Sequence, residues 1–211
     1  MAIFVLSVGG STVVPGGVPN VKFLKELRSV LVQQVKVGHR FIIVTGGGGT
    51  CRTYQDGLKQ LGGSRDDLDW IGIAATRFNA ELLRLVLGKA LTKNVTVACG
   101  EKPGNSTDTV AVKLGKKVGA KLVINVSNVD YLYTKDPRKF KDAEVIEEIT
   151  WKDYRKMIGT KWTPGMNIPF DPTASKLADQ AKIDVLLIGP DTKNLANILA
   201  GKAFKGTVIH K

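Results

Sequence analysis

A short apolar run, a glycine-rich turn and a polar, helix-like stretch follow one another three times in this chain. That recurrence constrains the fold more than any other feature. Ile3 to Leu6 leads into Ser7-Val8-Gly9-Gly10-Ser11. Phe41 to Val44 leads into Thr45-Gly46-Gly47-Gly48-Gly49-Thr50-Cys51-Arg52. Val95 to Ala98 leads into Gly100-Glu101-Lys102-Pro103-Gly104-Asn105-Ser106-Thr107-Asp108. Glycine loses more backbone entropy on ordering than any other residue and fills no space, so four in succession imply close approach of backbone N–H groups to something else. At the start of a helix that partner is usually an anion, and three such turns point to one site holding several phosphates.

Strands alternating with helices imply a mainly parallel sheet covered on both faces, a three-layer α/β/α sandwich. The periodicity predicts strands at Ile3–Val8, Phe41–Val44, Val95–Ala98, Leu122–Val126, Val185–Ile188 and Thr207–His210. Helices are expected from Val21 behind an Asn20 cap, over Thr50–Leu61, from Asp69 to about Leu91 and over Thr107–Val118. Asp69 is read there either as a helix cap or as a site residue. Thr150 with Asp153, Asp171-Pro172 and Asp191 are further helix starts, and a hairpin is expected around Tyr131–Asp136. Open parallel sheets bind ligands at the carboxyl ends of their strands, where all three glycine turns and Ser127-Asn128 fall.

The 211 residues show no linker or shift in composition, so a single domain is expected. The net charge of +12 is spread over many segments as lysines on polar helix faces, without an aromatic RNA-binding signature, which argues against a nucleic-acid partner. Neither a signal peptide nor a membrane span is evident, and Cys51 and Cys99 lack metal-ligand or disulfide spacing. A cytoplasmic, reduced chain is expected. There is no GxxxxGK[ST] or GxGxxG motif.

These turns, taken with Asp69-Trp70-Ile71-Gly72-Ile73-Ala74-Ala75-Thr76-Arg77-Phe78-Asn79-Ala80, Asn125-Val126-Ser127-Asn128-Val129-Asp130-Tyr131-Leu132-Tyr133-Thr134-Lys135-Asp136-Pro137, Phe170-Asp171-Pro172-Thr173-Ala174-Ser175-Lys176 and Gly206-Thr207-Val208-Ile209, resemble the amino acid kinase superfamily. Within it the resemblance is to UMP kinases of the archaeal type, over nearly the whole chain and in the same order.

The resemblance implies transfer of the ATP γ-phosphoryl group to UMP, with Mg²⁺ held mainly through the phosphates and no separate protein metal site. It implies that Ser7, Val8, Gly9, Gly10, Ser11 and Gly48 hold the ATP phosphates, and that Ser127, Asn128, Tyr133 and Asp136 line an adenosine pocket. Gly47, Asp69 and Gly100, Glu101, Lys102, Pro103, Gly104, Asn105, Ser106 and Thr107 are implied to bind UMP. Arg52 is implied to sit between the two phosphate groups and Asp171 to organise the centre; these two are the catalytic candidates. No general base is needed, because the acceptor phosphate is already an anion. A hexameric homo-oligomer is implied as well.

Three departures stand out: Ser7 where many superfamily members carry lysine, Tyr131 where glycine is frequent, and a short Lys89–Asn94 bridge. Two other activities fit the same scaffold, a kinase for another small phosphate such as isopentenyl phosphate and a non-catalytic nucleotide- or oxyanion-binding protein. The first relies on a histidine near the acceptor, and His39 and His210 are not placed for it.

Overall fold

In the computed structural model, which describes residues 1–137, 139–159 and 168–211, the strand–turn–helix order builds one seven-stranded sheet. The chain runs β1 (Ile3–Val8), α1 (Gly10–Val13), a 3-10 turn (Pro15–Gly17), α2 (Val21–Lys36), β2 (Arg40–Thr45), α3 (Gly48–Gln60) and α4 (Arg65–Leu87). After a second 3-10 turn (Lys89–Leu91) come β3 (Val95–Ala98), α5 (Thr107–Lys117), β4 (Leu122–Val126), β5 (Leu132–Tyr133) and β6 (Val145–Ile146). The remainder is β7 (Glu148–Thr150), α6 (Trp151–Ile158), α7 (Pro172–Ala181), β8 (Asp184–Ile188), α8 (Thr192–Leu199) and β9 (Thr207–His210).

Sheet order is β3-β2-β1-β4-β8-β9-β7. The first five strands are parallel, β9 runs antiparallel to β8, and β7 runs parallel to β9. Of the hairpin expected around Tyr131–Asp136 only the first arm lies in that stretch: β5 pairs antiparallel with β6, at Val145–Ile146.

Alternation along each strand splits the apolar residues into two cores. Leu6 and Val8, Phe41 and Ile43, and Ile124 and Val126 join the core under α2, α4 and α8. Val5, Val44, Val123 and Val185 join the core under α5, α6 and α7. The architecture is the expected three-layer sandwich.

Capping explains most helix starts. Asn20 Oδ1 accepts from Phe23 N, Thr150 Oγ1 from Asp153 N, and Asp171 and Asp191 cap α7 and α8. One expectation is corrected. The long helix begins at Arg65, behind a Ser64–Asp67 capping box, and ends at Leu87 before Gly88 at φ 73°. Asp69 therefore lies inside α4 and is not its cap, because the serine five residues earlier in this polar stretch already satisfies the first turn. The bridge from α4 to β3 is direct, with one 3-10 turn in it.

Candidate active site

The carboxyl ends of β1, β2, β3 and β4 open into a cleft of about 630 Å³. Its wall includes Gly9, Gly10, Ser11, Gly47, Gly48, Arg52, Asp69, Gly100, Lys102 to Thr107, Ser127, Asn128 and Asp171. A smaller cleft of about 270 Å³ adjoins it and shares Ser127, Asn128, Ile168 and Pro169. Tyr133 and Asp136 line that second space, with Tyr131 and Leu132. One long trough results.

The first two glycine loops pack against each other. A Cβ on Gly10 would lie 2.2 Å from Gly48 N, and one on Gly48, which sits at φ 59°, would lie 2.2 Å from Gly10 O. A Cβ on Gly49 would lie 2.2 Å from Gly17 N. The close approach these glycines permit is therefore, in the first place, between loops. It brings the N–H groups at the starts of α1 and α3 to one wall, where helix geometry leaves them without intrahelical acceptors.

α4 holds the loops in place from one side. Asn79 Nδ2 donates to Gly46 O at 2.8 Å and Gly47 O at 3.0 Å. Gly100 N donates to Thr76 Oγ1 at 2.9 Å, and Gly104 N to Asp69 Oδ2 at 3.0 Å. Arg52 Nη2, from α3, donates to Ser11 Oγ at 3.1 Å. Arg52 and Lys102 are the cationic side chains of the wall among the described residues.

Three expected residues stand outside the wall. Val8 is fully buried in the core beside α2, and its carbonyl accepts from Gly46 N at 3.2 Å. Ser7, one residue earlier and so on the other face, donates Oγ–H to Asp108 Oδ1 at 2.8 Å. Strand alternation and loop pairing thus use up both before a nucleotide could. Glu101 is exposed, one residue past the Gly100–Thr76 bond, where its charge stays hydrated.

The floor holds a residue that sequence reasoning missed, Asp108. Its Oδ1 accepts from Ser7 and, at 2.9 Å, from Asn125 Nδ2. Ser7 and Asn125 are register partners on β1 and β4. Polar residues at core-facing strand positions were the available signal. Asp171, 4% exposed, accepts at Oδ1 from Thr173 N (2.8 Å) and Ala174 N (3.0 Å) and at Oδ2 from Ser106 Oγ. Desolvation, then the nearby Asp171 charge, pushes Asp108 up to about 7. Burial likewise raises Asp171. The pair is stabilised by neutral donors, and near neutrality it retains a proton.

Both histidines lie elsewhere. His39 Nδ1 accepts from Ala2 N at 3.2 Å, and His210 Nε2 lies 2.8 Å from Glu148 Oε1 on the outer strands. Cys51 lines the cleft with its thiol pushed up by burial, which makes it a poor nucleophile. Among the described residues the acid–base groups of the cleft are the Asp108–Asp171 pair at its floor, and no histidine or activated thiol joins them. Backbone donors, one arginine and one lysine converge here, and that set suits anions.

The model of the amino acid kinase family matches residues 2–101 and 86–189. The chain belongs to the amino acid kinase family. It is 35% identical to a uridylate kinase of Thermoplasma volcanium over 94% of this chain and 93% of the relative. It is 32% identical to one from Sulfolobus acidocaldarius, covering 90% and 92%. The crystal structure of uridylate kinase from Archaeoglobus fulgidus superposes with a TM-score of 0.80 at 29% identity, over 99% of this chain and 100% of that one. Among the described residues no helix is long and apolar enough to cross a membrane.

Proposed function

We propose that this chain is a UMP kinase that transfers the γ-phosphoryl group of ATP to the phosphate of UMP, giving ADP and UDP. The observation that carries the reading is the Arg52–Ser11 contact. It sets one guanidinium between the loop after β1 and the loop after β2, with the Asp69–Gly104 and Thr76–Gly100 bonds shaping the wall beyond.

In this reading Gly9, Gly10, Ser11 and Gly48 hold the donor phosphates, and Ser127, Asn128, Tyr133 and Asp136 take the adenosine. Gly47, Asp69 and the loop from Gly100 to Thr107 take UMP, without direct roles for Ser7, Val8 and Glu101. A phosphate oxygen of UMP attacks the γ-phosphorus as the bond to the β-phosphate oxygen breaks. Little covalent work falls to the protein. It must align two anions that repel one another and neutralise charge on the transferred group. Arg52 and the loop N–H groups do this, and their energetic weight grows as the bound nucleotides displace water from the cleft.

Mg²⁺ fits this site as a companion of the nucleotide. Among the described residues no cluster of three or more His, Cys, Asp or Glu could hold a metal by itself, so the ion would be held by the phosphates, whose charge it shields. Asp171 would help to organise the centre.

The activity serves pyrimidine nucleotide synthesis in the cytoplasm. Homo-oligomers, hexameric as the family resemblance implies, would use apolar surface such as the outer α4 stripe of Trp70, Phe78 and Leu85, which are 47%, 69% and 72% exposed.

An assay of ADP release with ATP and, in turn, UMP, CMP and isopentenyl phosphate tests the reading. UMP-dependent release well above the other acceptors is expected. Release that does not depend on UMP would overturn it.

A further inference from the structure

The loop that brings Asp171 to the floor of the cleft is fixed by a side chain that touches neither cleft. Tyr154 of α6 is fully buried. Its hydroxyl donates to Phe170 O and accepts from Phe170 N at 3.1 Å, so both backbone groups of the residue before Asp171 end on one oxygen. Trp151 closes this cluster, with ring centroids 6.2 Å from Tyr154 and 6.0 Å from Phe170. Asp108 and Asp171 lie together on the cleft floor, close enough that the Asp171 charge acts on the Asp108 carboxyl.

Tyr154 thus holds the Phe170 backbone through both of its polar groups. The α7 cap alone would not do this. It fixes Asp171 Oδ1 relative to Thr173 and Ala174, so the carboxylate would move with the helix and the loop that leads into it. Sheet hydrogen bonds do not reach Phe170 either, since it lies outside every strand.

We propose that Tyr154 is a positioning residue for phosphoryl transfer: its hydroxyl clamps Phe170 and thereby sets the place of the Asp171 carboxylate beside Asp108. The role needs a neutral hydroxyl, able to donate and accept at once. Burial, and then the carboxylates of Asp108 and Asp171, push the phenol well above its ordinary range, so it keeps its proton at any working pH. The inference rests on the kinase reading, because positioning matters only if Asp171 acts in turnover.

The test compares Tyr154→Phe, Trp151→Phe, Asp171→Asn and the double variant Tyr154→Phe/Asp171→Asn, with the wild-type chain as reference. Tyr154→Phe keeps the ring and removes the clamp. It is expected to lower kcat about tenfold or more while KM for ATP and UMP stays within about threefold. The double variant should turn over no more slowly than Asp171→Asn alone, because the clamp acts through the carboxylate. Trp151→Phe, which loosens the same cluster without touching Phe170's polar groups, should lower the melting temperature and leave kcat within about twofold.

A Tyr154→Phe chain with wild-type kcat and only a lower melting temperature would overturn the proposal, as would additive losses in the double variant. Assays at low temperature with nucleotide present favour the native state. A Tyr154→Phe chain that fails to fold even there makes Tyr154 a core residue and also overturns it. If the wild-type chain shows no UMP-dependent ADP release, the kinase reading itself has failed, and that result is read before any variant.

Discussion

Arg52 Nη2 lies 3.1 Å from Ser11 Oγ, so an arginine on the first turn and a half of α3 is tied to the loop that follows β1. Two loops on neighbouring parallel strands thereby share one cation. In the proposed phosphoryl transfer, that place would be where donor and acceptor charges meet.

Arg52→Ala should therefore lower kcat by about two orders of magnitude or more, since it removes a charge used chiefly in the transition state. Lysine should restore only part, because it lacks the planar, two-pronged donor. Steady-state kinetics with ATP and UMP varied separately checks this; an alanine variant with near-native kcat removes Arg52 from the mechanism.

Asp69 separates two functions in one substitution. Asparagine at 69 can still accept from Gly104 N, so the loop should stay in place and the melting temperature near the wild-type value. The charge is lost, however, and the KM for UMP should rise several-fold more than that for ATP. Equal changes in both constants would show that Asp69 does not distinguish the acceptor.

Gly48→Ala should be strongly destabilising. Left-handed backbone alone costs about 1–2 kcal/mol for a residue with a Cβ, and here the new atom would also collide with the Gly10 carbonyl. Gly57→Ala, whose Cβ would meet nothing within 4 Å on α3, is the control and should be neutral or stabilising. Urea denaturation midpoints of the two variants check the contrast.

The carboxylate pair makes the ligand-free protein less stable as pH rises. Asp108 titrates near 3.8 when unfolded and at about 7 when folded, so between those values the native state holds the proton more tightly. Unfolding free energy then falls with increasing pH, and the contribution present in full below about 4 is lost as pH passes about 7. Asp108→Asn should flatten this slope. Denaturation at pH 5 and pH 7.5, wild type against variant, reads it; parallel slopes would place Asp108 in a more hydrated setting.

Much of this molecule is fixed by short-range rules that a sequence displays. Short continuous apolar runs, Asn20, Asp171 and Asp191 as caps, and glycines after strands gave most of the elements and the edge at which the site lies. The order of family motifs added the reaction. The start of the long helix escaped because Ser64 and Asp69 both begin plausible helices, and only the reciprocal Ser64–Asp67 bonds decide between them.

Tertiary structure decided what the local pattern leaves open. Ser7 and Val8 are neighbours in a glycine motif, yet alternation sends one to Asp108 and the other into the core. Asp108, Asn125 and the α4 pair Thr76 and Asn79 come from three separate segments, and they act here because parallel strand register and the packing of α4 and α5 bring them to the loops. Sequence by itself determined most of the elements, the helix starts capped by Asn20, Thr150, Asp171 and Asp191, and the family. The polar floor, the clamp on Phe170 and the mutual packing of Gly10 and Gly48 exist only once distant segments meet, because hydrogen bonds and atomic contacts depend on distances that chain separation does not encode.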